Sequence, residues 1–222
     1  MGTAERRERE RFEVREKILA AAHELFVERG YDAVTMRGVA DAIEYSPTAI
    51  YFHFKDKETL IRELCQRDFI ALAQKFVEIA EIGDPVERLR EIGRAYARFG
   101  FQHPEHYRFM FMAPLPPASD PQAQGQGDPG RDGYAFLRAA VEEAIRSGGL
   151  RDGFSDAELV SQTLWAGMHG LVSLHISMAH DGWIDWRPLD ARIESLLDAL
   201  LHGVAERPAQ APRRAGTRRR GG

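Results

Sequence analysis

Apolar residues recur at three- and four-residue steps through most of this chain, and almost nothing alternates with the two-residue period of a strand. Val14, Ile18, Ala22, Leu25 and Phe26 form one such stripe, which Gly30 closes. From Asp56 a longer stripe runs through Leu60, Ile61, Leu64, Phe69, Leu72, Phe76 and Ile79 to a break at Gly83. Asp84-Pro85 restarts a helix through Leu89, Ile92, Tyr96 and Phe99, and a short segment after Pro104 carries Tyr107, Phe109, Met110, Phe111 and Met112. Residues 113–132 are dense in Pro, Gly and Gln, break the periodicity and read as a flexible connection. Helix returns over about 133–147. Ser155 and Glu158 make a capping box for a long apolar helix to about Ala179, and Pro188 opens a last one. The pattern predicts an all-α protein of about nine helices.

One stretch departs from plain core patterning. Residues 35–60 read TMRGVADAIEYSPTAIYFHFKDKETL, two short helices joined by a tight turn and then the start of a third. Thr35 is placed to cap the first, whose Val39, Ala40 and Ile43 face inward. Ser46-Pro47 starts the second: the hydroxyl accepts from an orphan N–H, and the proline fixes φ where no N–H is needed. Ala49, Ile50 and Phe54 can pack this helix down, which leaves Thr48, Tyr51 and His53 toward its open side. A short helix with small polar residues at its N-terminal end suits the major groove of DNA.

Residues 14–64 resemble the N-terminal DNA-binding domain of the TetR family of transcriptional regulators. The aromatic-His-aromatic run Tyr51-Phe52-His53-Phe54, followed by Lys55-Asp56-Lys57-Glu58, is the most specific part of the likeness. It implies that the Ser46-Pro47 helix reads the major groove, with Arg37, Pro47, Thr48 and Ala49 near base edges, Tyr51, His53 and Lys57 on phosphates, and Ser46 also among the DNA-binding residues. Arginine suits guanine O6/N7, and Thr and Ala can meet a thymine methyl. Other roles compete: Arg37 as a solvated charge, Tyr51 as a core aromatic, and His53 as a filler between helices. Family members often carry Gly in the inter-helix turn, where this chain has Glu44-Tyr45. A left-handed backbone at Glu44 costs on the order of 1 kcal/mol relative to Gly.

Charge sharpens this. The 222 residues carry a net charge of −4. Residues 207–222 hold six arginines and no acid, which leaves −10 for the rest. Residues 18–60 hold four basic and seven acidic side chains, too acidic for tight DNA binding by one copy. A homodimer on a palindromic operator follows, helped by the arginine-bearing arm, with half-sites about one or more helical turns apart. The Pro/Gly/Ala/Arg tail reads as disordered, either as a solvated end or as an auxiliary phosphate contact.

The last two long helices carry more apolar residues than one stripe needs. Val160, Leu164, Leu171, Leu174, Leu196, Leu197 and Leu200 are candidates for a dimer interface, with Gly167, Gly170 and Ser173 allowing close approach. An intramolecular core is the competing reading of the same leucines. The run Trp165 to Gly170 looks like the Trp…His-Gly signature of one subclass of TetR-type C-terminal domains. Trp165 and His169 share a helix face. With Tyr96, Phe99, Phe109, Met112, Phe136 and Met168 they could line a pocket for a small apolar or aromatic effector, or could be plain core.

The expected organisation is a charged arm over 1–13, a helix-turn-helix domain over 14–60, an effector-binding and dimerisation domain over 61–206, and the tail from 207. No secretory signal, membrane span, catalytic motif, cofactor or metal site is expected. His103, His106, His169, His175 and His180 lack a Cys or acidic residue in sequence to complete a ligand set. The sole cysteine, Cys65, fits a buried small hydrophobe in a reducing cytoplasm better than a redox sensor. The expected function is a ligand-responsive repressor. The rival is a small-molecule-binding or enzymatic all-α protein that uses its N-terminal helices for protein contacts.

Overall fold

The computed structural model describes residues 3–30, 34–112, 126–179 and 181–204. Among them run nine helices: α1 Thr3–Arg29, α2 Met36–Ala42, α3 Pro47–His53, α4 Lys57–Val77, α5 Pro85–Gln102, α6 Pro104–Met112, α7 Gly133–Arg146, α8 Ala157–Met178 and α9 Leu189–Val204. The all-α expectation holds. Among the described residues, no helix is long and apolar enough to cross a membrane. The arginine-rich tail and most of the Pro/Gly/Gln connection lie outside the described residues.

Three boundaries differ from the sequence pattern. The arm is not separate, because α1 begins at Thr3 and carries Arg6–Glu10 and Arg9–Glu13 pairs one turn apart. Polar helical residues without an apolar stripe are invisible to periodicity, yet such i,i+4 pairs support a helix. α4 stops at Val77 rather than near Gly83, and Ile79, Ala80 and Ile82 then donate to carbonyls three residues back. α8 is capped by Asp156, which accepts from the Leu159 N–H at 3.1 Å. Ser155 makes no capping box, because Glu158 is taken by Tyr134 and Gln162.

The N-terminal unit, called the reading domain after the role its resemblance implies, is α1 to α3 on the N-terminal part of α4. Ile18, Leu19, Ala22, Val39, Ile50, Phe54, Leu60 and Ile61 bury completely or nearly so in its core. Beyond it, α5 packs centrally against α7, α8 and α9. Gly167 lets α8 and α9 meet: a Cβ there would lie 2.7 Å from Leu200 Cδ1 of the same chain. Ion pairs from Arg94 to Glu194 (2.6 Å) and from Arg90 to Asp198 (2.8 Å) tie α5 to α9.

Candidate functional site

The reading helix is held at both ends by local chemistry. Thr35 Oγ1 accepts from Gly38 N at 2.9 Å to start α2, and Ser46 Oγ accepts from Ala49 N at 3.3 Å to start α3. Between them Glu44 adopts φ 59°, the left-handed turn expected at a position without Gly. Asp56 starts α4 by accepting from Thr59 N at 2.8 Å and from the Thr59 hydroxyl at 2.7 Å, which holds its carboxyl below the usual range. Arg15 closes the far end of α3, donating to the His53 carbonyl at 2.9 Å while pairing with Glu63 and lying 4.2 Å from the Phe54 ring centroid.

Arg37, Ser46, Pro47, Thr48 and Tyr51 are exposed, and Ala49, His53 and Lys57 are half-buried. Tyr51 is 53% exposed and is no core aromatic. His53 is more enclosed than its neighbours, and its Nδ1 is buried without a partner among the described residues. Burial first, then Arg11 and Arg15, push its pKa below the ordinary imidazole value, so the ring is held neutral. Phe52 is 69% exposed, with the Arg11 guanidinium 5.2 Å from its ring centroid. Arg11 and Arg7 thus stand beside the end of α3. Arg15 is occupied as a brace.

The second feature is a cavity of about 1020 Å³ between α4 and the bundle of α5 to α9. One face of α4 lines it from Arg62 through Gln66 and Phe69 to Phe76, a span of roughly 21 Å at the helical rise. Tyr96, Met110, Phe111, Tyr134, Leu164, Trp165, Met168, His169 and Leu200 supply other walls. Tyr96, Trp165, Met168 and His169 from the sequence-based set therefore come together. The other four do not line it. Phe109 packs on Phe26 of α1 (centroids 5.0 Å apart), Phe99 stands beside His103, Phe136 beside Phe76, and Met112 is 44% exposed. On the short helix α6, one residue's step turns a side chain about 100°, so Met110 and Phe111 face the cavity while Phe109 faces α1.

A hydrogen-bonded chain backs one wall. Trp165 Nε1–H donates to the Tyr96 hydroxyl at 3.0 Å, which lies 2.8 Å from that of Tyr107. Tyr107 reaches His169 Nδ1 at 2.6 Å, and His169 Nε2 lies 3.2 Å from Ser173 Oγ. Every group is satisfied when each donates onward to the next and His169 is the neutral Nε2–H tautomer. Burial pushes Tyr107 up to about 12, raises Tyr96 further and lowers His169, so all three are uncharged near neutral pH. Cys65 also lines the cavity, 2% exposed, and burial raises its thiol well above the ordinary range, which keeps it protonated and unreactive. The sequence reading missed Phe69, Phe76, Phe111, Tyr134 and Tyr107. The 62/66/69/73/76 face of α4 was the available signal, since it sets aromatics at a helical spacing with two polar residues.

The dimer candidates separate as well. Val160, Leu164, Leu171 and Leu197 are at most 9% exposed within one chain and belong to its own core, and Leu164, Leu197 and Leu200 also line the cavity. Only Leu174 is exposed, at 50%, with Leu196 and Leu200 half-buried.

Residues 18–64 match the bacterial regulatory proteins of the tetR family, and residues 89–200 match the tetracyclin repressor-like C-terminal domain. The HTH-type transcriptional repressor AcnR of Corynebacterium diphtheriae is 30% identical over 96 residues, 43% of this chain and 44% of AcnR. The HTH-type transcriptional regulator QacR of Staphylococcus aureus is 41% identical over 51 residues, 23% of this chain and 27% of QacR. The chain thus spans less than half the length of these curated relatives. A solved protein of unknown function from Rhodococcus sp. RHA1 shares the fold with a TM-score of 0.72 at 24% identity, over 86% of this chain and 95% of that one. With both of its halves matched and the capped reading helix and cavity in place, this chain belongs to the TetR family of bacterial regulatory proteins.

Proposed function

We propose that this protein is a homodimeric transcriptional repressor that binds a palindromic operator and is released by a small apolar or aromatic effector. The observation that carries this reading is the joining of both features on one helix: α4 starts against the reading helix and lines the cavity with Phe69 and Phe76. Arg37, Ser46, Pro47, Thr48 and Ala49 meet base edges, and Tyr51, His53 and Lys57 meet phosphates. A neutral His53 contributes as a hydrogen-bond donor rather than as a charge. The effector lies against Phe111, Trp165 and Tyr134, with Tyr96 and His169 as the polar wall.

Dimerisation uses the outer faces of α8 and α9, where Gly170, Leu174, Leu196 and Ala199 offer small and apolar surface. Two such pairs make a four-helix interface. The repressor names of AcnR and other relatives support the direction of control.

Selection from random duplex DNA, followed by mobility-shift titration, tests the reading. A palindromic site should emerge, and Tyr51→Phe or Lys57→Ala should weaken binding to it about 10–150-fold per half-site, the loss of one hydrogen bond to a charged group, with dimerisation intact. Selection that enriches no palindrome would favour the rival protein-contact role of the N-terminal helices.

A further inference from the structure

A cluster that sequence spacing does not reveal assembles where the reading domain meets the effector domain. His23 of α1, Asp68 of α4 and His106 of α6 each offer a ligand atom, and these atoms all lie within 4.8 Å of one another. Asp68 Oδ2 is 2.8 Å from His106 Nδ1, and the His23 and His106 rings stand edge to face with centroids 4.5 Å apart. We propose that these three side chains bind a divalent transition-metal ion, zinc or a metal of similar ligand preference.

The donor set is two imidazoles and one carboxylate, which suits zinc, with water as a fourth ligand, and disfavours magnesium and calcium. Two donors on one tetrahedral zinc ion lie roughly 3.4 Å apart, as follows from bond lengths near 2.0–2.1 Å. The separations here, 2.8 Å for one pair and at most 4.8 Å for the others, bracket that value, so side-chain adjustment alone closes the site. His106 is 8% exposed and firmly held. His23 is half-buried and makes no side-chain hydrogen bond among the described residues, although it faces a His–Asp pair.

The three ligands come from three helices, so the ion pins α1 to α4 and α6 and stiffens the joint between the two domains. Zinc or cobalt supplied in the medium would then alter the orientation of the reading unit without entering the large cavity. None of His23, Asp68 and His106 lines that cavity.

The test uses the tag-free full chain, stripped with chelator and titrated with Co²⁺, then with Zn²⁺. One Co²⁺ per chain with visible d–d absorption, displaced by Zn²⁺ and accompanied by a raised Tm, is expected. His23→Gln and His106→Gln should abolish the bands, and Asp68→Asn, which removes the anionic ligand, should weaken binding by more than the roughly 10–100-fold that loss of an outer-shell partner brings. Far-UV circular dichroism of each metal-free variant shows that it is folded, and His23→Gln, at a half-buried position, removes no hydrogen bond. Absence of bands in the wild-type chain, or unchanged bands in folded His23→Gln, overturns the site. The readout is metal binding itself, so failure leaves the repressor reading untouched.

Discussion

Removal of the Tyr107 hydroxyl tests whether the buried hydrogen-bonded chain is the connected unit its geometry suggests. Tyr107 is fully buried, and its hydroxyl stands between Tyr96 (2.8 Å) and His169 Nδ1 (2.6 Å). In Tyr107→Phe two groups lose a partner, but they can reach one another: Tyr96 Oη is already 3.3 Å from His169 Nδ1. One hydrogen bond is lost on balance, about 1 kcal/mol. Tyr96→Phe also costs about 1 kcal/mol, because Trp165 is 37% exposed and its N–H can turn to water while Tyr107 still serves His169. The double variant leaves half-buried His169 Nδ1 with neither hydroxyl, a loss of about 1 kcal/mol or more beyond the hydroxyls themselves. The double-mutant cycle should therefore be more than additive, with a coupling of about 1 kcal/mol or more. Urea denaturation followed by circular dichroism at fixed protein concentration measures it, since dimerisation contributes to stability. Additive losses would refute the chain, and a single-variant loss well above 2 kcal/mol would refute the proposed rescue by Tyr96.

Glu44→Gly should stabilise the protein, because it relieves the left-handed strain at φ 59° in an exposed turn. The relief of about 1–2 kcal/mol is partly offset by about 0.4–1 kcal/mol of unfolded-chain entropy. A gain of about 1 kcal/mol and roughly 2–4 °C in Tm should appear by thermal melting, and a loss would show the turn to be unstrained. His23, His53 and His169 all have pKa values lowered in the fold from 6.5, so the unfolded chain binds more protons on acidification. Stability should be full above 6.5 and fall as pH drops through that value toward the lower folded values; a Tm unchanged between neutral and about pH 5 would contradict it. Operator affinity should decline steeply with salt, since each phosphate contact releases counterions. The ratio of affinities with and without effector should stay constant, and competition titrations at two ionic strengths read both.

Helix number, type and most boundaries are written locally, in apolar periodicity and in caps such as Thr35, Ser46 and Asp84, and these were legible. The strained turn was legible too, because Glu44 occupies a position defined by its neighbours in sequence. What escaped depends on contacts distant along the chain. Phe109 and Phe111 differ by two residues on α6, yet one packs on α1 and the other lines the cavity, and only the packing of α6 decides which. Leu164 and Leu171 read as surplus apolar stripe until the packing of the whole chain buries both and turns Leu164 to the cavity. His23, Asp68 and His106 are separated by 45 and 38 residues in sequence. No spacing rule could have joined them.

The magnitudes also decide what couples cavity to reading helix. α1 and α4 are joined by Arg67–Glu16 at 2.6 Å and by Arg15–Glu63. The first pair is about 40% exposed and contributes about 0–1 kcal/mol. Against this stand Ile18, Leu19, Ala22, Ile61 and Leu64, all within the one core, where each large side chain contributes about 1.5–3 kcal/mol by burial. The joint is therefore chiefly apolar, and apolar joints move as packed bodies rather than bending gradually. On the proposed function, an effector against Phe69 or Phe76 would displace α4 and the reading domain together, as a rod. To carry the population from nearly all bound to nearly all released, it must favour one arrangement about 10⁴-fold, or about 5.5 kcal/mol. Burial of two or three aromatic faces that only one arrangement encloses is of that order, whereas loss of the surface ion pairs is not. On the proposed function, control would accordingly rest on how well a ligand fills the space along α4 in one arrangement only.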